Sequence, residues 1–146
     1  MWGLFFFIVV ADQLTKFYVQ TNMALGTSIP VIAGFFHITY ILNPGAAFGI
    51  LENQRMFFIL VAGIILLVAI CFHSRLKREP LLLRLGVGLL LGGAVGNLID
   101  RMQTGFVVDF FDFRVWPIFN IADIAICIGV AVVLWHVFLQ TKDEEE

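Results

Sequence analysis

Four apolar stretches, each close to the length of helix that a lipid bilayer demands, limit what this chain can fold into. They lie at about 1–21, 55–72, 81–99 and 119–139. Crossing about 30 Å of hydrocarbon takes about 20 mostly apolar residues as helix, because a backbone group left unpaired in lipid costs several kcal/mol. The chain is 60% hydrophobic and 14% charged, against roughly 45–50% apolar for an average soluble domain. Its 146 residues are too few to hide that excess in a core of their own. The expected fold is a mainly α membrane protein, with residues 1–146 forming a single domain of four transmembrane helices and a small extracytoplasmic β-sheet.

The first stretch is interrupted by Asp12, Gln13 and Lys16, so it is expected to face other helices rather than lipid. Its opening, Trp2 to Ala11, has the length of a secretory signal core. No basic residue precedes it, no small-residue cleavage site follows, and the apolar pattern resumes at Phe17, Tyr18 and Val19. We therefore read it as a retained span. Orientation follows from the loops, since Lys and Arg are kept on the cytoplasmic side. The densest basic cluster runs from His73 to Pro80, with Arg84 just beyond. Placing it inside makes both termini cytoplasmic and puts the segments at about 22–54 and 100–118 outside. Lys142 to Glu146 reads as a solvated tail. In the outer segments Phe36, Ile38, Tyr40 and Leu42 alternate with His37, Thr39 and Ile41, and Phe106 to Phe113 is a second β-like run. The loop from Thr21 to Pro30 is the one expected hinge.

With this topology the polar residues of the spans converge on one level. Asp12 and Lys16 fall in the middle and outer half of the first helix, Asn97, Asp100 and Arg101 at the outer end of the third, and Asn120 and Asp123 in the first turns of the fourth. Asp109, on the connecting segment, reaches the same level. Ionisable groups in a membrane cost about 2.5–3.5 kcal/mol each on insertion, so each needs a reason to be there. Residues three or four apart share a helix face. Asp12 with Lys16, and Asp100 with an arginine, are accounted for equally well as charge pairs that let helices insert and pack. Asp109 and Asp123 have no basic residue at that spacing. Two carboxylates close together in a low-dielectric site share a proton. That state lets one take a proton from water while the other polarises a carbonyl. Either residue fits either part.

Other chemistries lack their residues. The net charge of -2 and the absence of a clustered basic face exclude nucleic acid as a partner. Ser28 and Ser74 are the only serines, and His37, His73 and His136 are scattered, so neither a Ser/His triad nor a histidine metal site is expected. No metal and no cofactor is expected. Cys71 and Cys127 read as small buried hydrophobes rather than a disulfide. Gly88, Gly92 and Gly96 repeat every four residues along a helix, a spacing that admits a close neighbour rather than a phosphate.

Through segments in order at Asp12 to Lys16, Asn43 to Gly49, Gly92 to Arg101, Gly105 to Phe110 and Phe119 to Asp123, the chain resembles, along nearly its whole length, the lipoprotein signal peptidases, the signal peptidase II family. Asp12-Gln13-Leu14-Thr15-Lys16 resembles the first motif and Asn43-Pro44-Gly45-Ala46-Ala47-Phe48-Gly49 the external one. Gly92 to Arg101 continuing into Gly105-Phe106-Val107-Val108-Asp109-Phe110 resembles the third, and Phe119-Asn120-Ile121-Ala122-Asp123 the last. The resemblance implies a multi-pass aspartyl endopeptidase of the bacterial cytoplasmic (inner) membrane, acting near its outer face. Its substrate would be the signal peptide of a prolipoprotein, cut just before a diacylglyceryl-cysteine. It implies Asp109 and Asp123 as the catalytic pair. Asn43, Gly45, Asn97, Arg101 and Asn120 would hold substrate or orient the pair, with Asp12, Lys16 and Asp100 in support. Membrane lipid is the other expected partner, and the chain is expected to act as a monomer. The outer strands and the loop around Asn43 to Phe48 would form a cradle or lid, while the stretch from Asp109 to Asn120 is too short for a large external loop. Two rival readings are a proton-conducting transporter and a non-catalytic assembly subunit. A relay would have to cross the membrane, yet the polar residues crowd its outer half.

Overall fold

The computed structural model of the chain describes residues 1–45 and 51–145, the last three of these by backbone alone. Ala46, Ala47 and Phe48 of the expected lid therefore lie outside the described residues. The elements run α1 (Trp2–Asn22), β1 (Ser28–Ile32), β2 (Phe36–Asn43), α2 (Arg55–Cys71), α3 (His73–Leu76), α4 (Leu81–Gln103), β3 (Val107–Asp112) and α5 (Ile121–Glu145). Among the described residues three helices, α1, α4 and α5, are long and apolar enough to cross a membrane. The remaining expected span is α2, a shorter apolar helix of 17 residues, about 25 Å long at 1.5 Å per residue. The outer surface of the bundle is greasy: Phe6, Phe7, Phe17, Leu60, Leu67, Leu134 and Phe138 are each at least 60% exposed. Such a belt is stable against acyl chains and costly against water. The expected solvated tail is helical, since α5 continues through Lys142 to Glu145, and Lys142 is exposed.

Helix α4 is the axis of the bundle, with α1, α2 and α5 packed around it. Glycine makes this possible. A Cβ at Gly92 would lie 2.8 Å from the Ile8 Cβ, and one at Gly96 would lie 2.6 Å from the Asp12 Oδ2. The expected stripe is therefore the seat of α1. A neighbouring stripe of α4 seats α5: Gly86 faces Val132, and Gly129 of α5 would bring its Cβ 2.6 Å from the Leu90 backbone nitrogen. Toward the other end of α1, Phe5, Leu91 and Ala69 form a core that joins α1, α4 and α2.

The sheet has the order β1-β2-β3, antiparallel throughout. The apolar set of β2, Ile38, Tyr40 and Leu42, packs with Val19 of α1 and Val108 and Phe110 of β3. This anchors the sheet on the end of the bundle where α1 finishes. Burial along β2 does not alternate, since Thr39 is its one buried residue. Its hydroxyl donates to the Asp112 Oδ2 at 2.7 Å, and a satisfied polar group tolerates burial. The expected hinge is only partly a loop. Gly26 donates its N–H to the Tyr40 carbonyl at 2.8 Å, and β1 begins at Ser28, so the second half of the segment is tied to β2.

Candidate active site

On α1, Asp12 and Lys16 lie one turn apart and both point into the bundle, 0% and 2% exposed. A buried charge must be paired and fully hydrogen-bonded to be tolerable. The Lys16 ammonium has three donors, and it has three acceptors: Asp12 Oδ2 at 2.8 Å, Asp100 Oδ2 at 3.0 Å and Asn97 Oδ1 at 2.9 Å. The expectation of an arginine beside Asp100 is corrected, because its cation is Lys16. Residues adjacent in a helix do not face each other, and Arg101 turns away. It donates to the Gly45 carbonyl at 2.9 Å and lies 4.3 Å from the centre of the Phe58 ring. Asp100 also accepts from the Val108 N–H at 3.1 Å and from Gln13 at 2.8 Å. This joins α4 to β3 and α1. The other oxygen of Asp12 accepts the Ala122 N–H at 2.9 Å, one of the amides at the start of α5 that have no partner within the helix.

Pairing with β2 places Ile41 opposite Asp109 and Asn43 opposite Val107. Asp109, 1% exposed, accepts from Asn43 Nδ2 at 2.8 Å and from Asn120 Nδ2 at 2.7 Å. Asn120 caps α5. Its Oδ1 accepts the Asp123 N–H at 2.9 Å, while the Asp123 Oδ2 accepts the Asn120 N–H at 3.1 Å, a reciprocal capping box. Asp123 Oδ1 accepts from Asn97 Nδ2 at 2.8 Å. One asparagine thus bonds both carboxylates, through its side chain to Asp109 and through its backbone to Asp123. Burial pushes the Asp109 carboxyl up to about 7, and the nearby Asp123 carboxylate adds to the rise. Asn43, Asn120 and the Lys16 charge hold it back.

Asp109, Asp123, Asn43, Gly45, Asn97 and Arg101 line one cavity of about 630 Å³. Its polar end holds these groups. Its apolar limb runs between α2, α4 and α5, past Val61, Ala62, Ile65, Leu90, Ala94 and Ile126. Of the residues singled out in the sequence, Asp12, Lys16, Asp100 and Asn120 stand outside the lining: Lys16 bonds Asn97 within it, Asn120 bonds Asn97, Asp109 and Asp123, and Asp12 and Asp100 hold Lys16. Gln13, Phe58 and Trp116 were not singled out. Gln13 ties Asp100 to the Gly96 carbonyl, and its signal was polarity inside a span. Phe58 and Trp116 are cavity walls, and an aromatic at a membrane boundary carries little sequence information about which way it faces. The two cysteines are corrected: both are exposed, and Cys127 lines the cavity. Among the described residues no three His, Cys, Asp or Glu side chains converge as metal ligands would.

The apolar helices and their greasy surface define an integral membrane protein, and the solved structures it resembles are membrane enzymes. One bacterial membrane enzyme solved in meso at 2.3 Å has 38% sequence identity and a TM-score of 0.88, covering 98% of this chain and 90% of that one. A second, at 1.9 Å, has 39% identity and a TM-score of 0.79, covering 92% and 89%. The family model described as signal peptidase (SPase) II matches residues 4–139. The lipoprotein signal peptidase of Moorella thermoacetica is 44% identical over 137 residues, 94% of this chain and 91% of that protein. That of Brevibacillus brevis is 47% identical over 137 residues, 92% of each. The chain belongs to the signal peptidase II family, the lipoprotein signal peptidases.

Proposed function

We propose that this chain is an aspartic endopeptidase that removes the signal peptide from diacylglyceryl-modified prolipoproteins, cutting before the lipidated cysteine, with Asp109 and Asp123 as the catalytic dyad. The observation that carries the reading is that both carboxylates open into one cavity, bonded to the same asparagine, at the head of an apolar limb. A dyad sharing one proton hydrolyses an amide without a cofactor. The ionised carboxylate takes a proton from water as the oxygen attacks the peptide carbonyl carbon. The protonated one gives its proton to the carbonyl oxygen. The first then passes its new proton to the amide nitrogen, the C–N bond breaks, and the second recovers a proton as the diol collapses to the acid.

In this reading α2 is a fourth span, both termini are cytoplasmic, and the dyad lies near the outer face of the inner membrane. A lipid-linked substrate then enters sideways from the bilayer. The apolar limb takes the parts of it that stay in hydrocarbon, while Asn43, Gly45 and Arg101 meet the extended peptide. The enzyme works as a monomer, since both carboxylates and their partners come from one chain. The test is purified protein with a diacylglyceryl-modified prolipoprotein in lipid, read as a shortened product on a gel. Asp109→Asn and Asp123→Asn are each expected to remain inserted and folded with cleavage abolished. Normal turnover by either variant would remove that residue from the dyad.

A further inference from the structure

The polar network treats the two carboxylates differently. A lysine ammonium donates and never accepts, so the Asn97 atom that meets Lys16 at 2.9 Å is the carbonyl Oδ1. The amide NH2 is thereby turned toward Asp123, whose Oδ1 accepts from it at 2.8 Å. The other Asp123 oxygen accepts the backbone N–H of the capping residue Asn120, and Asp123 itself lies in the first turn of α5, where helix amides favour negative charge. Asp109 sits on a strand. The amides that reach it belong to Asn43 and Asn120, and their oxygens accept backbone N–H groups, of Gly45 and Asp123, rather than a cation.

We propose that Lys16 is a positioning residue for the peptidase reaction: acting through Asn97, it keeps the charge of the dyad on Asp123. Asp123 then takes the proton of the attacking water, and Asp109 donates to the peptide carbonyl. This rests on the dyad reading above and assigns its two parts. The charged groups around Asp123 are Lys16 and Asp12 from α1, Asp100 and Arg101 from α4 and Asp109 from β3. Arg101 is committed to the Gly45 carbonyl and the Phe58 ring. The Lys16 charge also favours the Asp109 anion across space, but at Asp123 it acts through an amide that takes the cation at its oxygen and donates its NH2 directly to the carboxylate.

The test is the pH profile of kcat/KM for cleavage of a diacylglyceryl-modified lipopeptide by the purified chain in lipid, for the parent, Lys16→Gln, Lys16→Arg and Asn97→Ala. The acid limb reports the carboxylate that must be ionised. In Lys16→Gln and Asn97→Ala it is expected to move up by about one pH unit, roughly a tenfold loss at the acid end that is recovered toward alkaline pH. Lys16→Arg, which keeps the charge, is expected to return the limb toward its parent position. Asn97→Ala leaves Lys16, Asp12 and Asp100 in place, so it decides the matter if Lys16→Gln does not fold. A lysine that only holds helices together predicts an equal loss at every pH, and an unmoved acid limb in the folded variant overturns the proposal. If Asp109→Asn and Asp123→Asn are inactive while the limb stays put, only the role of Lys16 fails. Turnover by either Asp variant takes the dyad down with it.

Discussion

Cutting Asn43 back to alanine is expected to slow the enzyme at neutral pH and yet extend its activity to higher pH. Asp109 sits near 7 because burial, and then the neighbouring Asp123, oppose its ionisation, while Asn43 and Asn120 favour it. If Asp109 must carry the proton, the rate falls as pH rises through about 7, tenfold per unit beyond it. The Asn43 amide donates to Asp109 Oδ2 at 2.8 Å, so it stabilises the anion and lowers the limb. A hydrogen bond to a charged group is worth about 1.5–3 kcal/mol, which is about one to two pH units at ~1.4 kcal/mol each. Water entering the vacated space returns part of that. The alkaline limb should therefore move up by about one unit. The neutral rate should drop because Asn43 Oδ1 also accepts the Gly45 N–H at 2.9 Å, and Gly45 in turn anchors Arg101. The assay is kcat/KM for a diacylglyceryl lipopeptide across the neutral and alkaline range in lipid. An alkaline limb that stays in place, or moves down, would refute the assignment of the proton to Asp109.

Two further substitutions probe the scaffold and the cavity. Gly96→Ala puts a methyl 2.6 Å from the Asp12 Oδ2, inside the ion cluster, and is expected to destabilise the protein by about 1–3 kcal/mol. A lowered midpoint of thermal unfolding in detergent checks this, and an unchanged midpoint would mean that α1 seats more loosely than described. Ala94→Phe fills the apolar limb between α2, α4 and α5 and is expected to raise KM at least tenfold with unfolding unchanged, since about 1.4 kcal/mol of lost burial suffices. An unaltered KM would show that substrate does not use that limb.

The sequence carried the helices well, because hydropathy is a local property and each long helix is one mostly apolar run, the first broken by Asp12, Gln13 and Lys16. It carried the sheet poorly. Strand β1, Ser28–Ile32, is exposed along its whole length and contains Pro30, so neither alternation nor burial marked it; its existence depends on a partner, β2, later in the chain. The partner of Asp100 was misjudged for a related reason. An arginine was expected there, but Lys16, 84 positions earlier by subtraction, has the reach to arrive across the α1–α4 contact that Gly92 and Gly96 open. The cysteines misled because small apolar residues in a span were assigned to the interior, whereas in lipid the exterior is equally apolar.

The cap of α5 also determines which variants can be informative. The orphan amides at its start are met by carboxylates: Asp12 accepts from Ala122, and Asp123 accepts from Asn120. One of the two groups proposed to cut the substrate, Asp123, therefore also finishes a helix, and the other, Asp109, is tied to the same cap through Asn120. Truncating Asp123 to alanine would confuse a chemical loss with a lost cap of about 1 kcal/mol. Asparagine keeps an oxygen that can accept the Asn120 N–H and loses only the ability to ionise. It exchanges an acceptor for a donor on the other side, however, facing the NH2 of Asn97. Asn97 cannot rotate to suit it, because its oxygen is held by Lys16. The Asp123→Asn protein should therefore keep its fold and lose one hydrogen bond on the Asn97 side, a local mismatch of about 1–3 kcal/mol. Catalysis should vanish far more completely than a mismatch of that size explains.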